Sequence, residues 1–202
     1  EFVGLQERAD MANKHKGDIF ICIHANASEN KESKGSEVYA LGLHREDSQR
    51  RVADRENDAI LMEDNHKTKY SDFDSNDPDR YIFVNFLSKT HLNNSLNLAE
   101  KITKNFQKTD GLIDRGVKQA GFLVLHQVNM PSILIETGFL TNKEEEHVLN
   151  DKEKQTAIAK AIFDAFVDYK TEVESKNGTV SNNNTVEKEK EKVVEKEKNN
   201  TN

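Results

Sequence analysis

The sequence predicts an α/β fold, a mainly parallel twisted sheet flanked by helices. Three observations carry this expectation. Two short apolar runs, Asp18–His24 and Ser132–Glu136, have strand length and no alternation, which suits strands covered on both faces. Long segments with helical periodicity lie between and after them. Strands that alternate with helices favour a sheet with its helices packed on both sides.

Taken in order, residues 5–15 read as a helix with Leu5, Ala9 and Ala12 on one face, closed by Gly17. The run to His24 is the first strand, and Gly35 precedes the second, Ser36–Leu41. Residues 46–64 read as a partly amphipathic helix whose stripe of Val52, Ala59 and Ile60 has Glu56 in its middle. Residues 65–89 are polar and irregular, as in a functional lid or a loosely held insert. Its Asp72, Asp74, Asp77 and Asp79 lack the central Gly and terminal Glu of a calcium loop, so a solvated loop is expected. From His91 the helical period returns through Leu92, Leu96, Ala99, Ile102 and Phe106, and Gly111 and Gly116 mark the connection after it. Phe122–Leu125 reads as a third strand and Ser132–Glu136 as a fourth. Asn142 with Glu145 has the form of a capping box for a helix to Leu149. The last helix, Glu153 to Tyr169, buries Ala157, Ile158, Ala161, Ile162, Ala165, Phe166 and Tyr169.

The 202 residues carry a formal net charge of −7 and 35% hydrophobic side chains, with a mean hydropathy of −0.83. An acidic balance argues against a general phosphate-backbone binder, and so against nucleic acid. No apolar run reaches the length of a membrane span. The lone cysteine, Cys22, cannot form an internal disulfide. From Thr171 to Asn202 there is no aromatic residue, the apolar side chains are all valines, and Glu and Lys alternate from Glu187 to Lys198. Such a segment cannot offset its ordering entropy by burial. The expected division is a domain over 1–170, with an insert at about 45–90, and a charged low-complexity linker or tail over 171–202. The chain opens on Glu1 rather than Met, which suggests a sequence without its natural start.

Two strands end on a chemically capable side chain, His24 in Ile23-His24-Ala25-Asn26 and Glu136 in Ile135-Glu136-Thr137-Gly138. Ligands of open α/β sheets bind at the carboxyl ends of strands, so parallel strands would bring the two together. A neutral imidazole is a zinc ligand and a nearby carboxylate can be a ligand or general base, which points to metal-assisted hydrolysis. His15, His44, His66, His91 and His147 sit in polar contexts and read as surface residues, whereas His126 follows an expected strand and could line a cleft.

The words Leu5-x-x-Arg8-Ala9-x-x-Ala12-Asn13, Asp18-Ile-Phe-Ile-Cys-Ile-His24-Ala-Asn26-Ala, Arg115-Gly-Val-Lys118 and Met130-Pro-Ser-Ile-Leu-Ile-Glu136-Thr-Gly-Phe-Leu-Thr-Asn142 occur in one order. Over roughly Leu5 to Tyr169 the chain resembles the zinc-dependent N-acetylmuramoyl-L-alanine amidases of the cell-wall type. The resemblance implies an α/β fold around a six-stranded sheet, one zinc ion, and cleavage of the amide between N-acetylmuramic acid and the L-alanine of the stem peptide. It implies that His24 is a zinc ligand and Glu136 the catalytic glutamate. Arg8 and Asn13 match positions read as structural, tying helix to sheet, and Gly138 would let the backbone turn behind Glu136.

The family's first zinc histidine and zinc glutamate lie in an upstream strand–loop–helix segment with no counterpart here. One of three protein ligands is then present, and this polypeptide alone is expected to bind zinc poorly and hydrolyse nothing. The absent strands would leave a sheet edge or face uncovered. Cys22 stands where the family commonly has serine and reads as a small buried side chain, although it could share the His24 face. The insert resembles that of division-type amidases, in which a helix glutamate ligates zinc and blocks the site until an activator protein binds. Glu56 is the candidate for that glutamate and Glu63 its rival. The resemblance also implies peptidoglycan as partner and an envelope location, periplasmic or secreted. The alternatives are a catalytically inactive amidase-like module that binds peptidoglycan or a division partner, and a different zinc hydrolase on the same fold.

Overall fold

The computed structural model describes residues 2–64, 66–70 and 78–199, with side-chain surroundings for all of these except 78–90 and 177–199. The Asp72, Asp74 and Asp77 part of the acidic loop lies outside the described residues. The order is α1 (Leu5–Lys14), β1 (Phe20–Asn26), β2 (Ser36–Leu41), α2 (Asp47–Asn57), a 3₁₀ turn (Asp58–Met62), α3 (His66–Lys69), α4 (Pro78–Phe106), β3 (Asp114–Ala120), α5 (Leu123–His126), β4 (Ser132–Phe139), α6 (Lys143–Asn150) and α7 (Lys152–Asn199).

Among the described residues the strands form one sheet in the order β1-β4-β2-β3. β1 pairs with β4 and β2 with β3 in parallel, and the central β2–β4 pair is antiparallel. The direction of β2 has a local cause. The connection from Asn26 to Ser36 is too short for a crossover helix, which a parallel return requires. The longer path through α2 and α4 then brings β3 back parallel to β2.

The apolar runs bury as their lack of alternation suggests where the strand is central. All of β4 is buried. One face carries Cys22, Tyr39, Leu41 and Leu134 against Leu5 of α1, Val52 and Ala53 of α2, and Leu123 to Leu125. The other carries Val38, Ile133 and Ile135 against Leu98, Ala99, Ile102 and Phe106 of α4 and Ile158, Ala161, Ile162, Ala165 and Tyr169 of α7. β1 departs from the expectation of burial on both faces. It lies at the sheet edge, and Ile23 is 61% exposed.

Several sequence expectations are corrected. The last helix does not end at Tyr169: α7 continues to Asn199. Phe122–Leu125 is not a strand: Leu123–His126 forms a single helical turn, its apolar side chains buried because they plug the face beneath α1. Four apolar residues suit either state, and packing decides. The third strand is Asp114–Ala120, read before as a connection. Its mixed polar content fits an edge strand paired on one side. Helix α4 begins at Pro78 rather than His91, and proline is well suited to a first helical turn.

At α6, Asn142 caps as expected, its side chain accepting from the amides of Glu144 and Glu145. The Glu145 carboxylate does not close a capping box. It accepts from Gly35 N at 2.6 Å and Phe139 N at 2.7 Å, binding the ends of β2 and β4 together.

Candidate functional site

The parallel pairing of β1 and β4 places His24 and Glu136 directly opposite each other in register. Across the next pairing Glu136 stands opposite Glu37 of β2. His24, Glu136 and Glu37 therefore form a row over three adjacent strands, on the face that α2 covers.

Glu136 is fully buried, and among the described residues neither carboxylate oxygen has a hydrogen-bond partner. Burial, reinforced by the negative charge of Glu56, lifts its pKa to about 7, against the opposing pull of His24 and Arg55. A carboxyl group so placed exchanges a proton near neutral pH. A Cβ on Gly138, two residues on, would lie 3.3 Å from the Glu145 carboxylate, so the glycine lets β4 end against α6.

Helix α2 sets Glu56 on the histidine. Glu56 Oε2 lies 2.7 Å from His24 Nδ1, with the two side chains 22% and 21% exposed. Interaction with Cys22, and donation from the ring to the Glu56 carboxylate, raise the His24 pKa to about 10, so the ring is an imidazolium at neutral pH. Burial would push Glu56 up, but His24, Arg55 and Arg8 outweigh it and hold the carboxyl below its usual range. Arg55, next in sequence, pins α2 to the end of β1 by donating to Ala27 O and Asn26 Oδ1, both at 2.6 Å.

The rival Glu63 is engaged elsewhere. Its carboxylate accepts from Leu5 N at 2.8 Å, from Tyr70 Oη at 2.8 Å and from Lys69 Nζ at 2.6 Å. It thus closes the N-terminus of α1, where Gly4 offers no capping side chain. The insert is held down at two places, by Glu56 and Arg55 over the sheet and by Glu63 and Tyr70 on α1.

Cys22 is buried and on the His24 side of β1. Asn13 bonds Gln127 O and Asn129 N, tying α1 to the loop before β4. Among the described residues Arg8 makes no hydrogen bond to the sheet. It donates to Val3 O at 2.9 Å and lies over Phe2, because α1 points that side chain toward its own leading segment. His126 ends α5 rather than a strand. His15 and His147 are exposed, as expected, and His44, His66 and His91 are half-buried.

The sequence reading passed over Glu37. Its carboxylate, 2% exposed, accepts from Arg115 Nε at 2.5 Å, Lys118 Nζ at 2.6 Å and Tyr39 Oη at 2.6 Å. A lone acid inside an apolar strand, with Arg115 and Lys118 in one of the resemblance words, was the available signal. The row therefore holds two neighbouring carboxylates in opposite environments, Glu37 saturated by two cations and a phenol, Glu136 with no hydrogen-bond partner among the described residues.

Hydrolytic zinc sites take three protein ligands. Imidazole and carboxylate are suitable donors, but His24 and Glu56 satisfy each other. Among the described residues no group of three or more His, Cys, Asp or Glu side chains is placed to hold a metal. The donors present do not by themselves fit a zinc ion.

Fold and site together define an α/β protein with His24 and Glu136 side by side at the carboxyl ends of two parallel strands. The sequence matches the family model described as N-acetylmuramoyl-L-alanine amidase over residues 1–168, and the chain belongs to that family. It is 31% identical to the N-acetylmuramoyl-L-alanine amidase AmiA of Escherichia coli K12 over 170 residues, covering 83% of this chain and 57% of that protein. The chain thus spans little more than half of that relative. Among solved structures it is similar to the amidase AmiC2 of Nostoc punctiforme, with a TM-score of 0.57, 26% identity, and 85% of this chain and 68% of that one covered. The CwlD amidase of Clostridioides difficile in complex with the GerS lipoprotein shares the fold, with a TM-score of 0.54, 22% identity and coverage of 83% and 61%.

Proposed function

We propose that the protein is a peptidoglycan hydrolase that cleaves the amide between N-acetylmuramic acid and the L-alanine of the stem peptide. The observation that carries the reading is Glu136, buried, unpaired among the described residues and in register with His24. With a pKa of about 7, Glu136 can take a proton from the attacking water and deliver it to the leaving amine. His24 is the proposed zinc ligand, and binding the ion would require donors beyond those described here. Residues 1–170 form the catalytic domain and 171–202 a charged tail. Action on peptidoglycan places the protein in the bacterial envelope, and among the described residues no helix is long and apolar enough to cross a membrane.

Glu56 is the proposed regulatory residue. By holding His24 Nδ1 it denies that ring nitrogen to other partners and lays α2 over the Glu136 face. A protein that draws α2 away would expose both, and the complex of CwlD with GerS is a precedent for a protein partner on this fold.

The shortage of metal donors favours a second reading, a catalytically inactive module that holds peptidoglycan or a division partner. Mass spectrometry of defined muropeptides treated with the full-length protein separates the two. The hydrolase releases lactyl-terminated N-acetylmuramic acid and a peptide with a new L-alanine amine. Intact muropeptides that nevertheless co-sediment with the protein would establish the binding module, and cleavage at a different amide would establish another hydrolase.

A further inference from the structure

Beside the Glu136 row lies a cleft of about 860 Å³, between the loop that follows β1 and helix α2. Its floor is formed by Glu37, Tyr39, Arg115 and Phe139. Its walls carry Lys31, Arg51 and Arg55 against Glu29, Asp54 and Asp58, so their charges balance. The sign of the cleft is set by its floor.

There, one carboxylate serves two cations. Glu37 Oε1 accepts from Arg115 and Lys118, and Oε2 accepts from Tyr39 and, at 3.4 Å, from Asn26 Nδ2. The carboxylate is saturated and cannot take a ligand. Glu37 carries −1 while Arg115 and Lys118 carry +2, so the cluster retains one positive charge. Lys118 is 14% exposed, whereas Arg115 is 38% exposed and lines the cleft.

Arg115 is also held rigidly. Its Nε is fixed by Glu37, its Nη1 donates to Lys34 O at 3.2 Å, and the guanidinium lies 5.5 Å from the centre of the Phe139 ring. Gly35 makes room for it: with φ at 109° and a Cβ that would meet Arg115 Cγ at 2.8 Å, no other residue fits there without strain. A guanidinium has five N–H donors, and the other three of Arg115 find no partner among the described residues. A preorganised fork with free donors and uncompensated charge matches a carboxylate at low entropic cost.

We propose that Arg115 is a specificity-determining residue that receives a carboxylate of the bound peptide in this cleft, two strands over from Glu136. The ligand's identity as a stem peptide rests on the amidase reading, while the carboxylate preference rests on the cleft itself.

The test is calorimetric titration of the 202-residue chain with two synthetic stem peptides that differ only in a side carboxylate, free or amidated. The free acid should bind about tenfold more tightly, the effect of one charge-assisted hydrogen-bonded pair. Arg115→Gln should abolish the difference and Arg115→Lys should keep part of it. Lys160→Gln, on the exposed face of α7 and outside the cleft, should leave it intact, and Arg115→Lys serves should Arg115→Gln fail to fold. Equal affinities in the wild type, no binding of either peptide, a preference that survives Arg115→Gln, one undiminished in Arg115→Lys, or one abolished by Lys160→Gln would each overturn the proposal. The measurement needs no turnover, so a failed amidase reading is recognised separately by intact amide bonds in the muropeptide digest.

Discussion

Replacing Glu56 by alanine removes the contact that occupies His24, and the structure sets the size of the expected effect. A hydrogen bond between charged groups contributes about 1.5–3 kcal/mol. Both side chains are about one-fifth exposed, so solvent screens part of this, leaving about 1–2 kcal/mol. If that energy holds α2 over the site, its loss raises the population of the open state by about 5- to 30-fold at 1.4 kcal/mol per decade. The basal rate of peptidoglycan hydrolysis by the full-length Glu56→Ala protein should rise by that factor, measured as dye release from labelled sacculi without any partner protein. Glu56→Gln keeps a weaker hydrogen bond and should fall between. A folded Glu56→Ala protein with an unchanged or lower basal rate would refute the regulatory role.

Other perturbations test the supporting framework. Glu63→Ala uncaps α1 and should cost about 1 kcal/mol, lowering the melting temperature by about 2–4 °C. Burial would raise the pKa of Glu37, but Lys118, Tyr39 and Arg115 hold it below the usual range, so its stabilisation is full above an ordinary carboxylate pKa and lost as pH falls through the depressed value. Glu37→Gln should therefore destabilise most at neutral pH, by about 2–3 kcal/mol, and the gap to wild type should close in denaturant titrations below about pH 4. Zinc titrated into the 202-residue chain should bind weakly and without defined stoichiometry. Tight binding of one ion would contradict the donor shortage.

The centre of the fold was legible in the sequence because its signals are local. β1 and β4 are continuous apolar runs, and each ends in a residue that such a run would not carry by chance. The expectation that His24 and Glu136 meet required only that the strands run parallel, and the pairing supplies that. Glu56 was legible as a charged residue interrupting an apolar stripe, and α2 does place it against His24. The periphery was harder to read. β3 is half-exposed and its side chains are chosen by Glu37 and solvent rather than by alternation. The turn at Leu123–His126 is apolar because of what it plugs, and four residues carry no period. Glu37 escaped because its partners lie some eighty positions away, at Arg115 and Lys118. The direction of β2 depended on the length of a connection, which composition does not express.

The role of Glu136 is tested most directly by comparing Glu136→Gln with wild type in the full-length protein, on one muropeptide, for both turnover and binding. We expect turnover to fall by about 10²–10⁴-fold, the usual contribution of a positioned general base, while the affinity for the muropeptide stays within about threefold. A Glu136→Gln protein that keeps turnover within tenfold of wild type would contradict the assignment of Glu136 as the group that moves the proton.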